Sequence, residues 1–189
     1  MSTEKSYAQD VVSAGLLTFP KSGDSASAGG VYTVTCVGPD GIEKWSDTFH
    51  NLVVNQGLQD MNDKYFKASG YTAVWYLGLV TGPGSGNTYA AGNTLAVHAG
   101  WTENTDYTGS RKTVTFGTPT TADPSVVSNS ASPSAFSITG TATIAGAFLA
   151  STTDNSGVLF SVGNFTGGDK SVASGDTLNV TYQFSLDAA

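Results

Sequence analysis

Apolar and polar residues alternate with a period of two over much of this chain, which is the pattern of strands with one buried face. Val31-Tyr-Thr-Val-Thr-Cys-Val37 alternates in this way, and so does Thr177-Leu-Asn-Val-Thr-Tyr-Gln-Phe-Ser-Leu186, the expected last strand. Lys112–Phe116 and Ser134–Thr139 repeat the pattern in shorter runs. Thr143–Leu149 and Gly157–Gly163 are apolar on both faces and read as central strands. Gly38-Pro-Asp-Gly41 supplies a preset φ at Pro39 and a tolerated positive φ at Gly41, so residues 31–49 read as a β-hairpin. Pro119, Asp123 and Pro124 interrupt the pattern, and Gly167-Gly-Asp169 and Ser174-Gly-Asp176 read as turns. Thr81–Asn87 is a Gly-rich, exposed loop. Thr88–Gly100 is weakly patterned around Leu95, Val97 and Trp101.

One segment follows a different period. Leu58, Met61, Tyr65 and Phe66 fall at i, i+3, i+7 and i+8, which predicts a helix over about residues 56–67. Asn55 stands where an N-cap would. Asp60 and Asp63 come early and Lys64 and Lys67 late, as the helix dipole favours. Gly70 is the expected stop. The run Tyr71–Val80 that follows is aromatic and β-branched, like a buried strand. A lone helix in a β protein is expected to plug an open end or edge of the sheets. Short strands at spacings of roughly 8–12 residues predict an all-β fold, an antiparallel β-sandwich or jelly-roll-like domain with one short helix.

The sandwich domain is assigned to residues 31–189, and residues 1–30 to an N-terminal arm and link. Val11-Val12 and Leu16-Leu-Thr-Phe-Pro20 are apolar, whereas Lys21–Gly30 is mostly Ser, Ala and Gly, the composition of a flexible link. Leu16, Leu17 and Phe19 have no obvious partner strand in the sequence and are expected to bury against another chain. The alternative is a first strand of the domain itself, followed by a long loop.

Composition narrows the function classes. Only 12% of the 189 residues are charged, about half the usual quarter. Eight Lys and Arg face fifteen Asp and Glu, for a net charge of −7, and the basic residues form no patch, which disfavours nucleic-acid binding. Cys36 is the single cysteine, so no intrachain disulfide is expected and it reads as a small buried hydrophobe from a reducing compartment. Met1–Ser6 shows no apolar signal region. No run approaches the roughly 18 apolar residues of a membrane-spanning helix. The chain is therefore expected to be a cytosolically made protein without a membrane partner.

No catalytic, cofactor-binding or metal residues are assigned. His50 lies near Asp47 and His98 lies in Ala96–Gly100, but neither is spaced into a Ser–His–Asp set, and no Gly-x-Ser-x-Gly elbow precedes the helix. Glu103 and Asp106, close to Trp101 and Tyr107, have the composition of an acidic–aromatic sugar platform and equally that of an exposed loop. Asp154-Asn-Ser-Gly157 matches part of a calcium loop but lacks its alternating acids and closing Glu, so it reads as a turn. The Gly82–Gly86 stretch leads into another loop rather than a helix, unlike a phosphate cradle. Three Trp, eight Tyr and nine Phe exceed what one small core must hold, which points to aromatics at a protein–protein contact.

The string Asn51-Leu-Val-Val-Asn-Gln-Gly-Leu58, continued through Asp63–Lys67 and Tyr71-Thr-Ala-Val-Trp-Tyr-Leu-Gly-Leu79, resembles a family of tailed-bacteriophage structural proteins. Thr94–Glu103, Ser128–Phe136, Ile144–Leu149 and Ser174–Tyr182 are similar to the same family, so the resemblance spans roughly residues 31–186. It implies a virion protein encoded near head genes, and its motifs carry no chemistry. The leading expectation is a non-enzymatic capsid decoration or cement protein on the capsid exterior. Its partners would be the major capsid protein and copies of itself, as a dimer or trimer. A tail-fibre or receptor-binding module for a host glycan is the alternative, and a glycan-cleaving enzyme the third reading.

Overall fold

The fold was analysed in a computed structural model that describes residues 26–67, 70, 71 and 74–188. Its first strand, β1 (Ala26–Val37), is joined to β2 (Glu43–His50) by the expected turn. Gly41 takes a φ of +80°, and its amide donates to the Gly38 carbonyl at 2.9 Å. The Asp40 carboxylate accepts from the Ile42 amide at 3.0 Å and fixes the corner. The last strand, β12 (Thr177–Ala188), lies antiparallel on the other side of β1. Tyr32 faces Tyr182, Val34 faces Val180 and Cys36 faces Leu178, all on the buried side, as the alternation predicts.

Two antiparallel sheets result. The first runs β2-β1-β12-β7, with β7 (Ser125–Ser128) on one half of β12 and β8 (Ser134–Ser137) on the other. The second runs β3-β10-β9-β4-β5, from β3 (Leu52–Val53) through β10 (Leu159–Asn164), β9 (Ala142–Ala150) and β4 (Trp75–Thr81) to β5 (Glu103–Asn104). Two short strands complete it, β6 (Lys112–Val114) on β4 and β11 (Lys170–Val172) on β9. The fold is thus an all-β sandwich. The jelly-roll winding expected as a variant of it is not established by this strand order.

Strand β9 is buried from Ile144 to Ala150 on both faces. Its inner face joins the inter-sheet core with Tyr32, Leu77, Phe136 and Val180. Its outer face is covered by a second cluster, in which Leu95 and Trp101 from the long 82–102 loop pack on Phe148 and Val162. That loop is therefore largely a covering layer, although Val97 stays 68% exposed. Close approach of strands explains Gly146, where a Cβ would sit 1.9 Å from the Gly163 carbonyl oxygen.

The helix α1 spans Asn55–Phe66, close to the expected range. Its ends differ from expectation. Val54, not Asn55, is the N-cap, with extended φ and ψ and no side-chain capping bond. Asn55 is already helical, and its amide donates to the Ala91 carbonyl at 2.8 Å, so the covering loop does what a cap would do. The first turn holds no acid, because Asp60 and Asp63 fall further along. Only Lys64 sits in the last turn, and Lys67 is the C-cap.

Two further differences bear on the site. Ala26–Gly30, within the stretch whose composition reads as a link, is strand paired residue for residue with Phe184–Ala188. The apolar stripe of α1 is also mostly uncovered: Leu58 is 41%, Tyr65 83% and Phe66 76% exposed, and Met61 alone packs on the core. The helix instead touches the sheet through Gly57, whose Cβ position would lie 2.6 Å from the Phe160 carbonyl oxygen. Gln56 anchors it there, its side-chain oxygen accepting from the Leu159 amide at 2.7 Å and the Leu95 amide at 3.3 Å. The helix flanks the open side of the sandwich without closing it.

Candidate functional site

An apolar cleft enters the core on this open side. Met61 of α1, Trp75 of β4, Phe160 of β10 and Phe184 of β12 line it with Phe116, and buried Tyr182 and Leu149 form its floor. The cleft encloses about 610 Å³. Past Tyr71 it opens into a second hollow of about 620 Å³ between Tyr65 and Phe66 of the helix and Ala26 and Leu186 of the sheet. Edge-to-face contacts hold the walls: Trp75 on Phe160 and Phe160 on Phe184, each with centroids 5.3 Å apart. The Trp75 indole N–H donates to the Tyr71 hydroxyl at 3.1 Å, which leaves the indole faces apolar.

Polar groups behind the floor are almost fully spent. The Tyr32 hydroxyl meets the Ser161 hydroxyl at 2.8 Å, and the Asn51 amide donates to the Tyr182 hydroxyl at 3.0 Å. Burial pushes both phenols above their ordinary pKa, so both remain protonated. Among the described residues, the Asn51 side-chain oxygen is the one buried side-chain polar atom without a hydrogen-bond partner. On the rim, burial raises the Asp60 carboxyl, with Lys64 opposing.

The residues weighed for chemistry are placed elsewhere. His98 stacks on Trp101 with centroids 4.1 Å apart, and one ring nitrogen lies 3.2 Å from the Thr94 carbonyl oxygen. Asp47 does not meet a histidine in a catalytic set; its carboxylate accepts from the Thr166 and Gly167 amides at 3.1 and 2.9 Å. Glu103 is clamped by Arg111, with Nε to Oε1 at 2.9 Å and Nη2 to Oε2 at 2.7 Å. Asp106 caps its own loop by accepting from the Asn104 side-chain amide at 2.9 Å. The two acids of the supposed sugar platform are therefore engaged in separate structural pairs. Asp154 closes a turn on the Ser156 amide and hydroxyl, and these bonds lower its pKa. Among the described residues no group of three or more His, Cys, Asp or Glu side chains is placed to hold a metal. No described helix is long and apolar enough to cross a membrane.

Leu16, Leu17 and Phe19, the expected partner-binding residues, lie outside the described residues. The cleft itself was not named by sequence reasoning. The excess of aromatics was its one visible signal, and sequence distance hid the rest: Met61, Trp75, Phe116, Phe160 and Phe184 come from five separate segments. In comparisons with family models, with curated proteins and with solved structures, the chain finds no match in any of the three.

Proposed function

We propose that this chain is a structural protein of a tailed-phage virion that sits on the capsid exterior as a decoration or cement protein and grips neighbouring major capsid subunits. The observation that carries the reading is the apolar end of the molecule. Tyr65, Phe66, Tyr71 and Leu186 are 41–83% exposed around one hollow, while the ion pairs and hydrogen-bonded acids described above are used within the domain. An exposed aromatic surface of this kind marks a protein–protein contact better than a site of chemistry. The motif resemblance to phage structural proteins supplies the virion setting. On this reading the protein has no hydrolase activity and acts as a small closed oligomer, a dimer or trimer, whose weak contacts add through avidity on a symmetric shell.

Copy number on purified virions tests the proposal. A cement protein is present at hundreds of copies per particle and binds heads when added back. A few to a few dozen copies confined to the tail would assign the chain to a tail-fibre or receptor-binding module instead. Release of reducing sugar by the purified protein, lost on Glu103→Gln, would replace both readings with an enzyme.

A further inference from the structure

We propose that the free edge of β1 at Ala26–Ala28 pairs antiparallel with the same edge of a second copy, so that the first sheet continues across a two-fold axis at Ser27. The inference rests on the oligomeric reading above and narrows it to a dimer with a stated register.

The edge is open and unprotected. On the β2 side of β1, pairing stops at Val31 opposite His50, where the chain leaves for β3, and one further bond runs from the Asn51 amide to the Gly30 carbonyl at 3.1 Å. A residue in an antiparallel strand turns its N–H and C=O to the same side, and its neighbours turn theirs to the other. Gly30 therefore fixes the direction: Ala28 and Ala26 present their groups to the β2 side, away from β12. The residue opposite agrees, since the Ala188 amide turns away from Ala26 and donates to the Asp123 carboxylate at 3.1 Å. Among the described residues, nothing donates to or accepts from the Ala26 and Ala28 backbone groups on this side. Natural edges are blunted by Lys, Pro, a bulge or an inward charge, and Ala26-Ser-Ala-Gly29 carries none of them.

The edge is also self-complementary. With Ser27 opposite the second copy's Ser27, Ala26 of each copy faces Ala28 of the other. Each such pair exchanges both of its N–H to C=O bonds, so all the free groups of both copies are used. A two-fold pair lets one surface meet itself, whereas a trimer needs two different surfaces that fit each other.

Apolar area lies beside this edge. Ala26 borders the hollow whose rim carries Tyr65, Phe66 and Tyr71, which are 83%, 76% and 52% exposed. At about 150–250 Å² per ring, these three offer roughly 300–500 Å² per copy, or about 600–1,000 Å² over a symmetric pair. With the paired edges added, that reaches the roughly 1,000 Å² that a specific interface needs.

Full-length variants test the pair. By light scattering after gel filtration at tens of micromolar, the native chain should show twice the monomer mass. Ala28→Pro removes an amide from the free edge, where β12 uses none of its bonds, and should leave a monomer with a native far-ultraviolet spectrum. Tyr65→Lys with Phe66→Ser changes exposed side chains of the helix and leaves the edge alone. It should weaken the dimer at least about tenfold. Ser27→Cys reads the register, because residues opposed in a non-hydrogen-bonded pair lie about 4.5 Å apart at Cα and can be joined. Copper–phenanthroline oxidation should convert this variant to a covalent dimer, whereas Ser130→Cys, on an exposed turn, is not joined and buried Cys36 does not compete. A native monomer, a trimer, or a dimer that fails to link through position 27 would overturn the proposal. Binding to purified heads reads the virion role separately: a monomer that decorates heads at hundreds of copies sinks the pair and leaves that role standing.

Discussion

Replacing Arg111 with Met removes the most heavily bonded side chain of the structure. Arg111 is only 5% exposed and packs with its guanidinium carbon 5.0 Å from the Phe148 ring centroid. Besides the two bonds to Glu103, Nη1 donates to the Thr152 and Asp154 carbonyls at 3.1 and 2.5 Å, and Nη2 to the Asn155 side-chain oxygen at 2.7 Å. One residue thus ties the β5 strand to the 151–158 turn between β9 and β10. The substitution keeps most of the volume but takes the charged partner from a partly buried carboxylate, which keeps a long bond from the Tyr107 hydroxyl at 3.5 Å. It also takes the Arg111 donor from the Thr152 carbonyl, while the Asp154 carbonyl still accepts from the Thr152 hydroxyl at 2.8 Å. Breaking a buried pair in this way costs about 3–5 kcal/mol. For a chain of this size each kcal/mol moves Tm by about 2–4 °C, so a fall of about 6–20 °C is expected. The assay is urea and thermal unfolding of Arg111→Met, of Glu103→Gln and of the double variant. The double variant should recover part of the loss, because the uncompensated charge has gone. A single-variant loss under about 1 kcal/mol, the worth of an exposed pair, would refute the reasoning. So would strict additivity of the two substitutions.

Gly146→Ala should destabilise by several kcal/mol, since its Cβ would overlap the Gly163 carbonyl, whereas Gly92→Ala, with nothing within 4 Å, should change the urea midpoint little. For Asp176, burial acts to raise the carboxyl, but hydrogen bonds from Lys44 at 2.6 Å and from the Ala173 amide win and lower it. A carboxyl depressed in the folded state contributes stability above its unfolded value of about 3.9 and loses it as pH falls through the folded value. The stability gap between the native chain and Asp176→Asn should therefore be full at pH 7 and shrink below about pH 4; a gap that widens in acid would contradict it. Burial pushes the Cys36 thiol up to about 11, so it should resist Ellman's reagent in the native protein and react fully in urea, and rapid native labelling would place it at the surface.

Much of the architecture is legible in the sequence because period-two patterns record which face of a strand is buried. Tyr32, Val34 and Cys36 fall inward with Leu178, Val180 and Tyr182, as their spacing requires, and β9 is covered on both sides as its unbroken apolar run requires. The hairpin turn at Gly38–Gly41 and the existence of α1 are equally local in origin. What only the tertiary structure decides comes from pairings across long sequence distances. Ala26–Gly30 has the composition of a link and becomes strand because β12 extends far enough to pair with it. Asn55 carries a capping side chain, yet the loop carbonyl of Ala91 takes its amide and the helix starts one residue earlier than a side-chain cap would set. The helical spacing of Leu58, Tyr65 and Phe66 marks an apolar face but cannot say what covers it; α1 meets the sheet through Gly57 and Met61, so that face stays open. The cleft exists because pairing through β9 sets Trp75 of β4 near Phe160 of β10 in one sheet, and the packing of the two sheets brings Phe184 of β12 against them, a proximity that no local pattern in the chain encodes.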